Sequence, residues 1–156
     1  LAGDQMLEYT TPNIPWEPDH DALREYLASL DVVSRYEVDW ILPGHGAVFQ
    51  GHHFWIQSAR QHHAERCDRI LERLAEGAAS AHTLVASLWP RVLAPLDYRF
   101  AAFEVLAHLA YLEHDGRVQR HNGASPVLWK LACGIQVAAP KMRVSRTLSP
   151  PEKDAS

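Results

Sequence analysis

No run of apolar residues in this chain approaches the roughly 20 that a membrane-spanning helix requires, and the amino terminus lacks the basic-then-apolar order of an export signal. Cysteine is scarce. Cys67 and Cys133 stand far apart with no C-x-x-C spacing, which argues against a disulfide framework or a structural zinc knot and fits a reducing cytoplasm. Positive charge is not in excess either. Fifteen Lys and Arg against 19 Asp and Glu leave a net charge of -4, so a nucleic acid would have to be held by a local basic face rather than by bulk attraction. What is present is 47% hydrophobic residues in 156, enough for a core in one ordinary domain or two small ones. A soluble, globular, cytoplasmic protein is expected.

The chain opens on Gly3-Asp4 and then enters an irregular stretch, residues 11–18, where Pro12, Pro15 and Pro18 forbid regular helix. From Asp19 or Asp21, either of which can cap a helix, Leu23, Tyr26, Leu27, Leu30 and Val33 recur at helical spacing. Val38-Asp39-Trp40-Ile41-Leu42 reads as a short strand that Pro43-Gly44 ends, delivering His45 at its carboxyl end. A long amphipathic helix follows from about Trp55 to Leu74, with Ile56, Ala59, His63, Cys67, Ile70, Leu71 and Leu74 on its apolar side, and Gly77 stops it.

Ser80 is placed to cap a second helix through Leu84, Val85 and Leu88, ending before Pro90. A third helix spans about Asp97 to His114, with Phe100, Phe103, Leu106, Ala107, Leu109, Ala110 and Leu112 expected inward. Residues 117–120, the turn-rich 122–126 and residues 127–131 then form a β-hairpin. Three helices and a hairpin are the order of a winged helix. The tail from about residue 136, rich in Pro, Ser, Lys and Asp, has too few apolar residues to fold and is expected to be disordered.

Two motifs carry chemistry. Gly-Asp pairs are common turn formers, and alone Asp4 reads as an Asx-turn. Leu42-Pro43-Gly44-His45-Gly46 is stronger, because glycines on both sides of a histidine let backbone and solvent approach the imidazole, as an open metal site requires; its ordinary alternative is a surface turn.

Taken together, Gly3-Asp4, Pro43-Gly44-His45-Gly46, His62-x-x-x-Arg66 and the run from Leu109 through Gly116-Arg117-Val118 resemble the metallo-β-lactamase-fold hydrolases. The nearest branch carries a C-terminal winged helix, of the β-lactamase-like protein 2 type. The resemblance covers about residues 1–132. It implies an α+β chain: residues 1–60 as the C-terminal part of a four-layer αββα metallo-β-lactamase-fold domain, residues 61–135 as a winged-helix-like domain of three helices and a hairpin, and residues 136–156 as a tail.

The resemblance further implies two divalent metal ions, usually zinc, with Asp4 bridging both and His45 bound to the second. Such a pair lowers the pKa of a water between the ions and polarises a scissile carbonyl or phosphoryl oxygen. The substrate class is a thioester, a lactone or a phosphodiester, hence a small acyl compound or RNA. The family's His-x-His-x-Asp-His run and a further His should precede Asp4, and none is present. The chain starts at Leu1, directly on a loop motif, and is read as the back part of a larger enzyme that is inactive alone. A homo-oligomer is left open.

The remaining candidates are weighed against plainer roles. His62 and Arg66 share a helix face and suit the orientation of a loop or a substrate carboxylate, with the joining of two domains as the alternative. The neighbours His52-His53 point to different faces and match no zincin motif. His108 reads as a hydrogen-bonded core residue. Of the tryptophans, Trp16 is placed to wall a substrate cleft, and Trp40, Trp55, Trp89 and Trp129 read as core. A DNA regulator is disfavoured, because the third helix offers only Arg99 against Glu104 and Glu113 and the wing adds only Arg117, Arg120 and Lys130.

Overall fold

The structure is a computed structural model that describes residues 1–121, 123 and 125–137. Four helices carry the chain: α1 (Ala22–Val33), α2 (His52–Ala75), α3 (Ala81–Leu88) and α4 (Pro95–His114). Three short strands, β1 (Ala79–Ser80), β2 (Val118–His121) and β3 (Leu128–Leu131), form an antiparallel sheet in the order β1-β3-β2. The expected tail lies, from residue 138 onward, outside the described residues; Val137 still packs against the core.

Two of the four helices, α1 and α3, start where a side chain satisfies a free backbone N–H group. Asp21 rather than Asp19 caps α1, its Oδ1 accepting from the Arg24 amide at 3.1 Å. The apolar stripe of α1 points inward through Leu23, Tyr26 and Leu30. Ser80 Oγ accepts from the Thr83 amide at 3.1 Å and caps α3. Pro95 occupies the first turn of α4, where its missing N–H costs no bond, so this helix begins two residues before Asp97. α2 begins at His52, immediately after Gly51 in a left-handed conformation, and buries all seven residues of its expected apolar side.

One hydrophobic cluster runs from Met6 and Ile14 through α1, α2, α3 and α4 to Val118 and Trp129. α2 passes through it without a break, so residues 1–51 and the sheet share a helix. At the far end Arg24 pairs with Asp115 at 2.6 Å and Asp21 with His114 at 3.0 Å, fastening the start of α1 to the end of α4. Among the described residues no helix is long and apolar enough to cross a membrane.

Several local expectations change. Residues 38–42 are not a strand. Ile41 exchanges backbone hydrogen bonds with Phe49, and Pro43 bridges in parallel to Gly3, but these are isolated bridges. A strand requires continuous pairing with a neighbour, and Trp40 and Leu42 lie exposed instead, Trp40 contrary to its expected core role. On α4 the expected Ala107, Leu109, Ala110 and Leu112 are buried, joined by Ala101, Val105 and His108, whereas Phe103 and Leu106 are only partly buried and Phe100 is exposed. β1 was not anticipated, since two residues carry no alternation; it exists because Ala79 and Ser80 pair with Trp129 and Leu128. The hairpin forms as expected, with Val118 opposite Leu131 and Arg120 opposite Trp129.

Candidate metal centre

Two loops meet where the parallel bridge joins Gly3 to Pro43. The Ala2 amide donates to the Leu42 carbonyl at 2.8 Å and the Gly44 amide to the Gly3 carbonyl at 2.7 Å, so residues just beyond each bond stand side by side. The result is that His45 Nε2 lies 3.7 Å from Asp4 Oδ1. Two donors that each approach one ion to about 2.1 Å stand roughly 3.5 Å apart, so this separation is close to ligand spacing. Both side chains are mostly open to solvent, at 80% for His45 and 65% for Asp4, which leaves room for further ligands and a substrate.

Gly44 makes the approach possible. A Cβ built there would come within 2.5 Å of Asp4 Oδ1 and 3.3 Å of the Gly3 carbonyl carbon. Glycine is required here by contact and not by backbone angle. Gly46, by contrast, has φ +92 and turns the chain just after His45. Glu8, which the sequence did not single out, holds this turn from the other side: its Oε2 accepts from the Ala47 amide at 3.0 Å. Its signal in the sequence was only its nearness to Asp4.

Polar contacts to the helices steady the Asp4 loop. Trp55 Nε1 on α2 donates to the Leu7 carbonyl at 2.6 Å, Tyr26 Oη on α1 donates to the Gln5 carbonyl at 3.4 Å, and Gln5 bonds Ser29. Beside Asp4 opens a cleft of about 480 Å³ whose lining includes Ile14, Glu17, His20, Glu25 and Tyr26. Trp16 packs half-buried against the hydrophobic core.

His62 and Arg66 do share a face of α2, and that face is turned to Glu104 on α4. Arg66 Nε stands 3.3 Å and His62 Nε2 3.8 Å from Glu104 Oε1, and the Arg66 guanidinium lies over the Trp89 ring, 4.2 Å from its centroid. Burial raises the Glu104 carboxyl pKa, but the neighbouring His62 and the Arg66 charge outweigh it, and the net shift is downward. Burial pulls the Arg66 pKa down, with Glu104 opposing. These residues bind α2, α3 and α4 together.

A catalytic zinc takes three protein donors and keeps a position for water. Asp4 and His45 suit such a set, a hard carboxylate beside an imidazole with a Cβ-free cradle under the carboxylate. Among the described residues, however, no group of three or more His, Cys, Asp or Glu side chains could hold a metal ion. The two side chains by themselves do not make up such a set.

Comparison with known proteins places this chain in a family. Residues 67–129 match the model of the metallo-beta-lactamase-like C-terminal domain. The fold matches a beta-lactamase domain protein from Burkholderia ambifaria at 31% identity and a TM-score of 0.78, covering 83% of this chain and 40% of that one. It also matches a metallo-beta-lactamase family protein from Thermus thermophilus at 31% identity and a TM-score of 0.73, covering 84% of this chain and 41% of that one. The chain therefore spans about two-fifths of the length of these two relatives. It belongs to the metallo-beta-lactamase-like family, and the part of the family that it matches is the C-terminal one.

Proposed function

We propose that this chain is the C-terminal portion of a metal-dependent hydrolase, with Asp4 and His45 as two ligands of a two-zinc centre. The observation that carries the reading is the juxtaposition of Asp4 and His45 across the Gly3–Pro43 bridge, over a glycine whose Cβ would collide with the carboxylate. When bound, the ions would supply an activated water and polarise the scissile carbonyl or phosphoryl oxygen. Asp4 would offer its carboxylate to the ions, His45 would offer a neutral Nε2, and the cleft beside Asp4 would receive the substrate. The remaining donors would come from residues other than the described ones. The 156-residue chain is accordingly inactive by itself. Substrates in keeping with the chemistry are thioesters, lactones and phosphodiesters, in a cytoplasmic setting.

The test uses the longer protein that carries this segment. Zinc content and chelator-sensitive turnover of an acyl-thioester, a lactone and a phosphodiester are measured for the parent sequence, D4N and H45A. Both variants should lose zinc and at least about 100-fold in turnover, the scale on which removing a group central to the reaction acts. Equal zinc content and turnover in all three proteins would defeat the assignment, as would chelator-sensitive hydrolysis by the 156-residue chain alone.

A second reading concerns residues 61–135, which we propose form a winged-helix domain with the β2–β3 hairpin as the wing. Its support is the order of α2, α3 and α4 followed by a hairpin, with β1 as the third strand. As a nucleic-acid module it is poorly charged. Arg120 is paired with Glu113 at 3.0 Å and Arg117 stands 3.9 Å from Asp68, which leaves the wing with little charge for phosphate. We favour a role in shaping the protein around its active site over DNA binding. A salt-dependent affinity for single-stranded RNA in the longer protein, unaffected by D4N, would support the nucleic-acid alternative.

A further inference from the structure

We infer that Glu8 is a positioning residue for the metal centre, holding the His45 loop against the Asp4 loop; this rests on the metal-centre reading given above. The two loops are tied by the backbone at Ala2–Leu42 and Gly3–Gly44, both on the near side of His45. Beyond His45, the described tie between them is made by a side chain, Glu8 Oε2 accepting from the Ala47 amide at 3.0 Å. The histidine thus sits between a backbone clamp on one side and a carboxylate clamp on the other.

Chemistry and geometry agree on why a carboxylate serves. Gly46 has φ +92, so the chain reverses there and turns the Ala47 N–H toward the Asp4 segment. A hypothetical Cβ at Gly46 would touch Glu8 at 3.7 Å, so the turn packs directly on this side chain. A charged acceptor on a backbone N–H makes a stronger hydrogen bond than a neutral one. Trp55 Nε1 holds the Leu7 carbonyl from α2, so Glu8 projects from an anchored backbone. Without the clamp the imidazole would have to be ordered at the moment of metal binding, and outer partners that orient metal ligands are typically worth about 10–100-fold in affinity.

The test separates position from charge by comparing Glu8→Ala with Glu8→Gln, since the glutamine amide oxygen can still accept from Ala47. In the 156-residue chain without metal, amide hydrogen exchange at Ala47 is followed by NMR. Glu8→Ala should remove the protection and Glu8→Gln should retain it. Zinc is then added to the longer protein that supplies the remaining donors, and the His45 imidazole signals are followed. Glu8→Ala should weaken the apparent affinity by about 10-fold, and Glu8→Gln by no more than about 3-fold.

Unchanged Ala47 exchange in Glu8→Ala overturns the inference, as does an equal loss of zinc affinity in both variants, which would make the charge and not the clamp responsible. If zinc leaves His45 undisturbed in the longer protein, the metal-centre reading fails, while the exchange comparison in the 156-residue chain still decides whether Glu8 orders the loop. Glu8 is partly exposed and lies outside the hydrophobic core, so both variants are expected to fold.

Discussion

His63 Nδ1 lies 3.1 Å from His108 Nε2 in the core between α2 and α4, and His108 Nδ1 lies 2.7 Å from the Glu104 carbonyl. A carbonyl only accepts, so His108 carries its proton on Nδ1 and its Nε2 is the acceptor. His63 must then donate from Nδ1, leaving its buried Nε2 without a hydrogen-bond partner. Both rings are neutral. Burial, together with the repulsion that two protonated rings would feel, pulls the His63 pKa down to about 3, and burial pulls that of His108 down to about 4.

In the unfolded chain both imidazoles titrate near 6.5, so between that value and about 4 the unfolded state binds more protons and stability rises with pH. The stabilisation is complete above about pH 6.5 and is lost as the pH falls toward 4. Urea midpoints should decline steadily over that window, and the decline should flatten in a His63→Phe, His108→Leu double variant. An identical pH profile for the two proteins would contradict the assignment.

Asp21 performs two tasks at the start of α1, as cap to the Arg24 amide and as partner of Arg24 and His114. Asp21→Ala should cost about 0.5–2 kcal/mol of stability through the lost cap. Asp21→Asn keeps the cap and should cost less than about 1 kcal/mol, since the ion pairs are partly exposed. Urea unfolding of the two variants side by side checks the order.

Gly44→Ala should disturb the candidate centre and little else. Its Cβ meets Asp4 Oδ1 and the Gly3 backbone, so Asp4 must turn away from His45. Zinc affinity of the longer protein should fall by about 10-fold or more, while the melting temperature moves by only a few degrees, as for an exposed-loop change. A crystal structure of the variant with Asp4 unmoved would count against the packing argument.

Arg66 holds Glu104 in a largely buried setting, with Trp89 behind the guanidinium. Arg66→Met leaves that carboxylate to His62 alone and should cost about 3 kcal/mol, the scale of an unpaired buried charge. Arg66→Lys keeps the charge and loses the planar stack on the ring, so its cost should be smaller. Chemical denaturation measures both.

The two cysteines should differ sharply toward a thiol reagent. Burial pushes the Cys67 thiol up to about 12, so it stays protonated and unreactive, whereas Cys133 is exposed. One thiol should react at once in the native chain and the second only on unfolding, as a colorimetric thiol assay would register.

Periodicity and caps belong to the chain itself. The apolar side of α2, the cap Ser80, the choice of Asp19 or Asp21 as the α1 cap and the hairpin after Gly116 could be read directly, because helix and turn preferences depend on residues a few positions apart. Asp4 and His45 were nameable by type and by glycine neighbours for the same local reason. Other features depend on residues distant in sequence. Residues 38–42 lack a continuous partner and make only bridges, while Ala79 and Ser80 gain one in Trp129 and Leu128 and become a strand. His62 and Arg66 have a fixed helical spacing, but only packing against α4 turned them toward Glu104. Likewise Glu8 became a clamp, and Gly44 a cradle, only once two loops some forty residues apart were laid side by side. Pairing and contact are relations between distant segments, and the residue types at either end do not specify them until the chain has folded.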